Sequence, residues 1–239
     1  MSKTGQSPAG ATAAAADPVD DAQIEFGRWL FAQPCTFLRG VARLDGLAEP
    51  DLPEVAFAGR SNCGKSSLLN ALTGRRSLAR ISNTPGRTQQ LNFFDLGGKL
   101  WLVDLPGYGY ARASKTDIAA WTQTVRDYLR GRPTLRRLCV LIDGRHGIKA
   151  NDKDMMEMLD AAAVGYQVVL TKIDKLSAGG LATRIDATAE ALKNHPAALP
   201  DPIATSARNG DGIELLRAQI AMLAAGSPNG LKSAPESAG

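Results

Sequence analysis

Residues 59–66 read Gly-Arg-Ser-Asn-Cys-Gly-Lys-Ser, a glycine, four free positions and then Gly-Lys-Ser, the spacing of a loop that wraps phosphate. The pattern restricts the fold because such a loop must leave a strand and enter a helix. Gly59 and Gly64 allow turns that side chains would block, so successive N–H groups can point inward at phosphate oxygens. Lys65 brings a compact positive charge to the outer phosphates, and the Ser66 hydroxyl can ligate Mg²⁺. A helix starting near Gly64 adds the partial positive charge of its N-terminus. Both flanks are present: Glu54-Val-Ala-Phe-Ala58 is an apolar run of strand type, and Ser67-Leu-Leu-Asn-Ala-Leu72 has helical spacing. These residues imply that the chain binds a nucleoside triphosphate.

The rest of the sequence supplies a frame for that loop. Ala22 to Phe31 reads as a short amphipathic helix ending near Pro34, and Thr36 to Ala42 fits either a strand or an extended lead-in. Strands are predicted at 54–58, 91–96, 99–104, 137–143, 166–171 and 201–205, with helices at 65–73, 115–130, 151–163, 180–194 and 211–224. Gly97-Gly98 is a two-residue hairpin signal, so one antiparallel pair is expected. Elsewhere strand and helix alternate, which predicts an α/β fold: a mostly parallel six-stranded sheet with one antiparallel edge strand and helices on both faces. Ligands of such sheets sit beyond the carboxyl ends of the strands.

Two further motifs fall at such ends. Asp104-Leu105-Pro106-Gly107 follows the strand Leu100-Trp-Leu-Val103. A carboxylate there can hold a water on Mg²⁺, and the Gly107 N–H can meet a terminal phosphate oxygen and lose that bond when the phosphate leaves. Thr171-Lys172-Ile173-Asp174 ends the strand Tyr166-Gln-Val-Val-Leu170. The Asp174 carboxylate can accept from N1–H and the exocyclic amine of guanine, whereas adenine would set a lone pair against it. The Lys172 stem can pack along the base plane. Thr205-Ser206-Ala207 follows Asp201-Pro-Ile-Ala204 and can offer a backbone N–H to the guanine carbonyl.

Composition bounds the setting. Its 239 residues fit one large domain with tails or two small ones, and 44% hydrophobic with 22% charged residues is ample for a core. Cys35, Cys63 and Cys139 lie far apart, without disulfide or zinc spacing, and a reducing cytoplasm is the simplest home. Cys63 reads as a small loop-filling side chain, with a redox-sensitive thiol as the other reading. No apolar run is long enough to cross a membrane. Residues 1–21 read as a disordered tail without a signal peptide, 22–225 as the nucleotide-binding domain with a short helical lead-in, and 226–239 as a second disordered tail. The net charge is +4, and arginines cluster at 75, 76, 80 and 87 and again at 126, 130, 132, 136 and 137. Such clusters suit a polyanion such as RNA, or equally form solvated helix faces.

The order GRSNCGKS, TPGRTQ, DLPG, TKID, TSA resembles a translation-factor-class GTPase with the Ras-like P-loop fold. It is most similar to the ribosome-biogenesis GTP-binding proteins of the EngB family, also called YihA or YsxC. The run Ser82-Asn-Thr-Pro-Gly-Arg-Thr-Gln-Gln-Leu-Asn-Phe-Phe94, then Asp104-Leu-Pro-Gly-Tyr-Gly-Tyr-Ala111, with Ser61-Asn62 and Asp143-Gly-Arg-His-Gly147, carries the likeness over roughly Ala22 to Ala225. The resemblance implies a GTP/GDP-binding switch in large-ribosomal-subunit assembly, needed for normal cell division and septation. It implies Mg²⁺ ligation by Ser66 and Thr88, a switch formed by Gly86, Arg87, Thr88, Gln89 and Gln90, and a second switch starting at Asp104 to Gly107. Gly59, Arg60, Ser61, Asn62, Cys63, Gly64, Lys65 and Ser66 would hold the phosphates, with Lys65, Thr88 and Gly107 serving hydrolysis.

Tyr108 stands where many GTPases carry a water-orienting Gln, so slow intrinsic hydrolysis is expected, completed by a partner, an ion or a rearranged switch. Asn62 could help bind K⁺ beside the phosphates. Tyr108 and Tyr110 could form a partner surface in one nucleotide state. The partners implied are the rRNA and proteins of the large subunit, with no DNA or membrane partner, and the chain is expected to be a monomer. An ATP-dependent P-loop kinase for a small metabolite is the alternative; it would not need Thr-Lys-Ile-Asp.

Overall fold

The computed structural model describes residues 19–42, 46, 47, 49, 51–75, 78, 90–108 and 115–224. Seven strands form one sheet: β1 (Cys35–Val41), β2 (Glu54–Gly59), β3 (Leu91–Leu96), β4 (Leu100–Asp104), β5 (Leu135–Asp143), β6 (Tyr166–Thr171) and β7 (Ile203–Ala204). Their order is β1-β3-β4-β2-β5-β6-β7. The helices are α1 (Asp21–Ala32), α2 (Lys65–Thr73), α3 (Lys115–Gly131), α4 (Ala150–Ala161), α5 (Ala178–Leu192) and α6 (Ile213–Ala224).

The sheet has seven strands rather than the expected six. Cys35–Val41, which the sequence left open between strand and lead-in, pairs antiparallel with β3 along its length. The antiparallel strand β3 therefore lies one place in from the edge, joined to β4 through the Gly97-Gly98 turn. All other pairings are parallel. The expected N-terminal tail also ends earlier than residue 21. The Asp20 side chain caps α1 by accepting from the Gln23 N–H at 2.7 Å, and Asp21 opens the helix. Residues 1–18 and 225–239, where the tails are expected, lie outside the described residues.

Alternation on the strands builds two cores, one on each face. On one face Ala56, Val103, Val140, Ile142 and Val168 meet Val125 and Tyr128 of α3 and Met155, Met156 and Leu159 of α4. On the other, Val55, Phe57, Leu102, Leu141 and Val169 meet Leu30 of α1, Leu68, Leu69 and Leu72 of α2, and Leu216 and Ile220 of α6. All six residues of β2 and all six of β6 are buried, so the two loops leaving them start from fixed points.

Away from those loops, at the opposite end of β2, a charged residue is also buried. Glu54 accepts from Tyr128 Oη (2.8 Å), Arg132 Nε (2.6 Å) and Thr134 Oγ1 (2.8 Å). A buried carboxylate persists only when its oxygens are satisfied in this way. Arg132, one of the clustered arginines, is thus committed to the core. Arg137 is also partly buried, and desolvation lowers its pKa. The second arginine cluster is therefore not one solvated face. Of the first, Arg76, Arg80 and Arg87 lie outside the described residues.

Candidate functional site

The carboxyl ends of β2, β4, β5, β6 and β7 converge on one groove with two connected cavities. The first, of about 410 Å³, is lined by Arg60, Ser61, Asn62, Lys65, Ser66 and Gly107, together with Gly64, Ser67 and Lys172. The second, of about 330 Å³, is lined by Thr171, Asp174, Lys175, Thr205, Ala207 and Arg208, with Leu68 and the same Gly64, Ser67 and Lys172. The shared residues join a polar, phosphate-sized end to a more apolar end suited to a base.

The phosphate loop has its shape for two separate reasons. Gly64 has φ +102°, a conformation that side chains rarely adopt, and it turns the chain into α2. Gly59 is not left-handed; its reason is space, because a Cβ there would fall 2.5 Å from Cys63 Sγ and 3.0 Å from Leu141 O. Cys63 accordingly fills the loop from behind and is buried. Burial pushes its thiol up, against the pull of Lys65 and Lys172, which favours the filler over the redox reading. Asn62 also has positive φ (65°). Asn tolerates that region better than most residues, so its identity has a backbone reason apart from K⁺.

Lys65, in the first turn of α2, is hydrogen-bonded to the Asp104 carboxylate at the end of β4, which is only 2% exposed. Parallel pairing sets Phe57 against Asp104 and so brings this carboxylate level with the loop. The Ser66 hydroxyl lines the cavity beside them. Among the described residues no three His, Cys, Asp or Glu side chains gather into a metal cage. That donor set suits Mg²⁺, which keeps its waters and takes few protein ligands beside substrate phosphates.

The base end is built from main-chain geometry. Lys172 has φ 58°, and its Nζ donates to Asn62 O at 2.6 Å and to Asp143 Oδ2 at 3.0 Å. Its stem is thereby stretched between the two loops. Asp143 also takes the Arg145 guanidinium in a forked pair, Nε at 2.9 Å and Nη2 at 2.7 Å. Burial pushes the Asp143 carboxyl up, but the bonds from Arg145 and Lys172 outweigh it and hold it well below the usual carboxylate range. Thr171 Oγ1 donates to Cys63 O, a second tie between the loops.

Asp174 Oδ1 accepts from Ser206 Oγ at 2.9 Å, and Lys175 Nζ lies 3.4 Å from Oδ2. The Ser206 bond, helped by Lys175, lowers the pKa of Asp174 against desolvation. At neutral pH this carboxylate is an acceptor only. The N–H groups of Thr205 and Ser206 already donate to Leu170 O (2.7 Å) and Asp211 O (3.0 Å). Of Thr205-Ser206-Ala207, the N–H left to meet a base carbonyl is therefore that of Ala207, which lines the cavity.

Several predicted site residues serve by packing instead. Leu105 and Ile173 belong to a hydrophobic core, and Pro106 is half-buried. Gly86, Arg87, Thr88 and Gln89 lie outside the described residues, while Gln90 immediately precedes β3. Tyr108, expected to form a partner surface in one nucleotide state, is 6% exposed in this structure and donates its hydroxyl to Asp152 at 2.9 Å. Tyr110 lies outside the described residues. Ser67, Leu68, Lys175 and Arg208 also line the groove, although they carry no motif beyond adjacency to one.

Comparisons with known proteins agree with this geometry. A family profile described as "50S ribosome-binding GTPase" matches residues 54–172. A "Probable GTP-binding protein EngB" of Rhodospirillum rubrum is 58% identical over 206 residues, covering 84% of this chain and 89% of the relative. The chain belongs to the EngB family of GTP-binding proteins. A second EngB relative, from Cereibacter sphaeroides, is 54% identical over 204 residues, covering 85% of this chain and 94% of its own length. A crystal structure of a probable GTP-binding protein engB covers 73% of this chain and all of its own (TM-score 0.58, 22% identity), which shows the shared fold. The α/β sheet is that of the Ras-like P-loop GTPases, and EngB membership sets the small-molecule kinase reading aside.

Proposed function

We propose that this chain is a GTP-driven switch that binds the large ribosomal subunit during its assembly, with cell division and septation depending on that step. The observation that carries the nucleotide part is the Asp174 carboxylate, braced from behind by Ser206, facing the same groove as the phosphate loop. The ribosomal part draws support from the description of the matching family profile and from the resemblance.

In this reading Lys65 exchanges Asp104 for the outer phosphates of GTP, and the α2 N-terminus adds its partial charge. Gly107 faces the same cavity and offers its N–H to the third phosphate. Mg²⁺, held by the Ser66 hydroxyl, by Thr88 as the resemblance assigns, and through a water on Asp104, would neutralise charge on the phosphates. Hydrolysis is slow in the isolated chain, because the Tyr108 hydroxyl is committed to Asp152 and has no amide to align a water.

Co-sedimentation with separated ribosomal subunits tests the proposal. Pelleting with the large subunit in a non-hydrolysable GTP analogue, and clearly less in GDP, is expected. Association that ignores both nucleotide and subunit would refute it.

A further inference from the structure

One buried carboxylate outside the nucleotide groove touches both the phosphate loop and the residue that follows Asp-Leu-Pro-Gly. Asp152 sits in the first turn of α4 and is fully buried. Its Oδ2 accepts from the Lys149 N–H at 2.9 Å and lies 3.2 Å from Arg60 Nε in the phosphate loop. Its Oδ1 accepts from the Tyr108 hydroxyl, immediately after Asp-Leu-Pro-Gly. An acid at this helix position commonly bonds the N-cap N–H, and that role uses Oδ2. It leaves the Tyr108 bond unexplained.

The Tyr108 main chain is fastened as well. Tyr108 N–H donates to Gly59 O at 3.2 Å, and Ser61 N–H donates to Tyr108 O at 3.1 Å, a two-bond parallel bridge around Arg60. Gly107 thereby lies beside the loop, where a Cβ on it would stand in van der Waals contact, 3.4 Å from Ser61 N. Its backbone lines the phosphate cavity. Burial, with the Asp152 carboxylate beside it, raises the Tyr108 phenol far above its ordinary range. The hydroxyl stays protonated and remains a donor at any working pH.

We propose that Asp152 is a positioning residue for the third phosphate: through Tyr108, and with Arg60 as its second partner, it holds Gly107 at the mouth of the phosphate cavity. The inference rests on the reading of the groove as a guanine-nucleotide site. A diphosphate makes no contact at Gly107, so the order that Asp152 imposes there is felt only by a triphosphate. A ligand gains from a conformation only by what it binds in that conformation and not in the other. Asp152 therefore contributes to the preference for GTP over GDP, not to nucleotide affinity in general.

The test uses the full chain and Tyr108→Phe, which removes one hydroxyl, with Asp152→Ala, which removes its acceptor, and the double variant beside it. Calorimetry with Mg²⁺ measures the affinity for GDP and for a non-hydrolysable GTP analogue. Tyr108→Phe is expected to weaken the GTP analogue about tenfold, the scale of one buried hydrogen bond to a charged acceptor. GDP affinity stays within about twofold, which also reports an intact fold. Adding Tyr108→Phe to Asp152→Ala brings little further loss, since both remove the same bond. Equal weakening of both nucleotides, or an unchanged ratio, overturns the inference alone. A wild-type chain that binds neither nucleotide overturns the functional reading and this inference with it.

Discussion

At the base end of the groove the recognising carboxylate, Asp174, is braced by a neutral hydroxyl, that of the fully buried Ser206, whereas at the phosphate end Lys65 and Asp104 hold each other. The base end has its donors and acceptors committed before any ligand is considered: Thr205 N–H to Leu170, Ser206 N–H to Asp211, Lys172 to Asn62 and Asp143. Such a site is preorganised and chooses by what it refuses. In the proposed reading the phosphate end works by exchange at Lys65, which leaves Asp104 for phosphate, while Gly107 meets a third phosphate from the place where Tyr108 holds it. In the same reading one end confers identity on the ligand and the other responds to its phosphate count.

The largest effect that could break this contrast is at Lys65. Lys65→Met leaves Asp104 buried without its cation, costing on the order of 3 kcal/mol of stability. It also removes the phosphate-facing charge, so nucleotide affinity falls roughly hundredfold or more. Thermal unfolding and calorimetry on the same samples check both; a stable variant with unchanged affinity would mean that the Lys65–Asp104 pair is incidental.

A smaller effect is expected at Asp143, which belongs to the preorganised end. Asp143→Asn loosens Lys172 and Arg145 and lowers stability by about 1–2 kcal/mol at neutral pH. The sign of its pH dependence follows from the lowered pKa. The carboxylate contributes stability above its ordinary value of 3.8 and loses it as pH falls through the depressed one. The gap between wild type and Asp143→Asn in urea unfolding is therefore constant from about pH 5 to 7 and closes below about pH 4. A gap that instead widens in acid contradicts the assignment of Lys172 and Arg145 as its partners.

Much of this site is legible in the chain because its determinants are local. The phosphate loop, Asp-Leu-Pro-Gly and Thr-Lys-Ile-Asp are short, each follows an apolar run, and alternating strand and helix place them at one end of a sheet. What the chain hides is of longer range. Asp152 reads as an ordinary acid at a helix start, and nothing near it in sequence announces Tyr108 or Arg60. Arg132 reads as one of a basic cluster, yet Glu54, far upstream, buries it. The β1 strand has five exposed residues between buried ends, so period-two alternation, the usual strand signal, is missing. In sequence Ala207 is indistinguishable from its two neighbours, and only the hydrogen bonds of Thr205 and Ser206 separate its role from theirs.

The claim that Asp174 selects the purine is tested most directly by measuring GDP, XDP and ADP binding to the wild type and to Asp174→Asn. The wild type should prefer GDP to both others. In Asp174→Asn the amide can donate to the xanthine carbonyl while its oxygen accepts N1–H, so XDP should overtake GDP. An Asp174→Asn chain that keeps the wild-type preference for GDP over XDP would contradict the account.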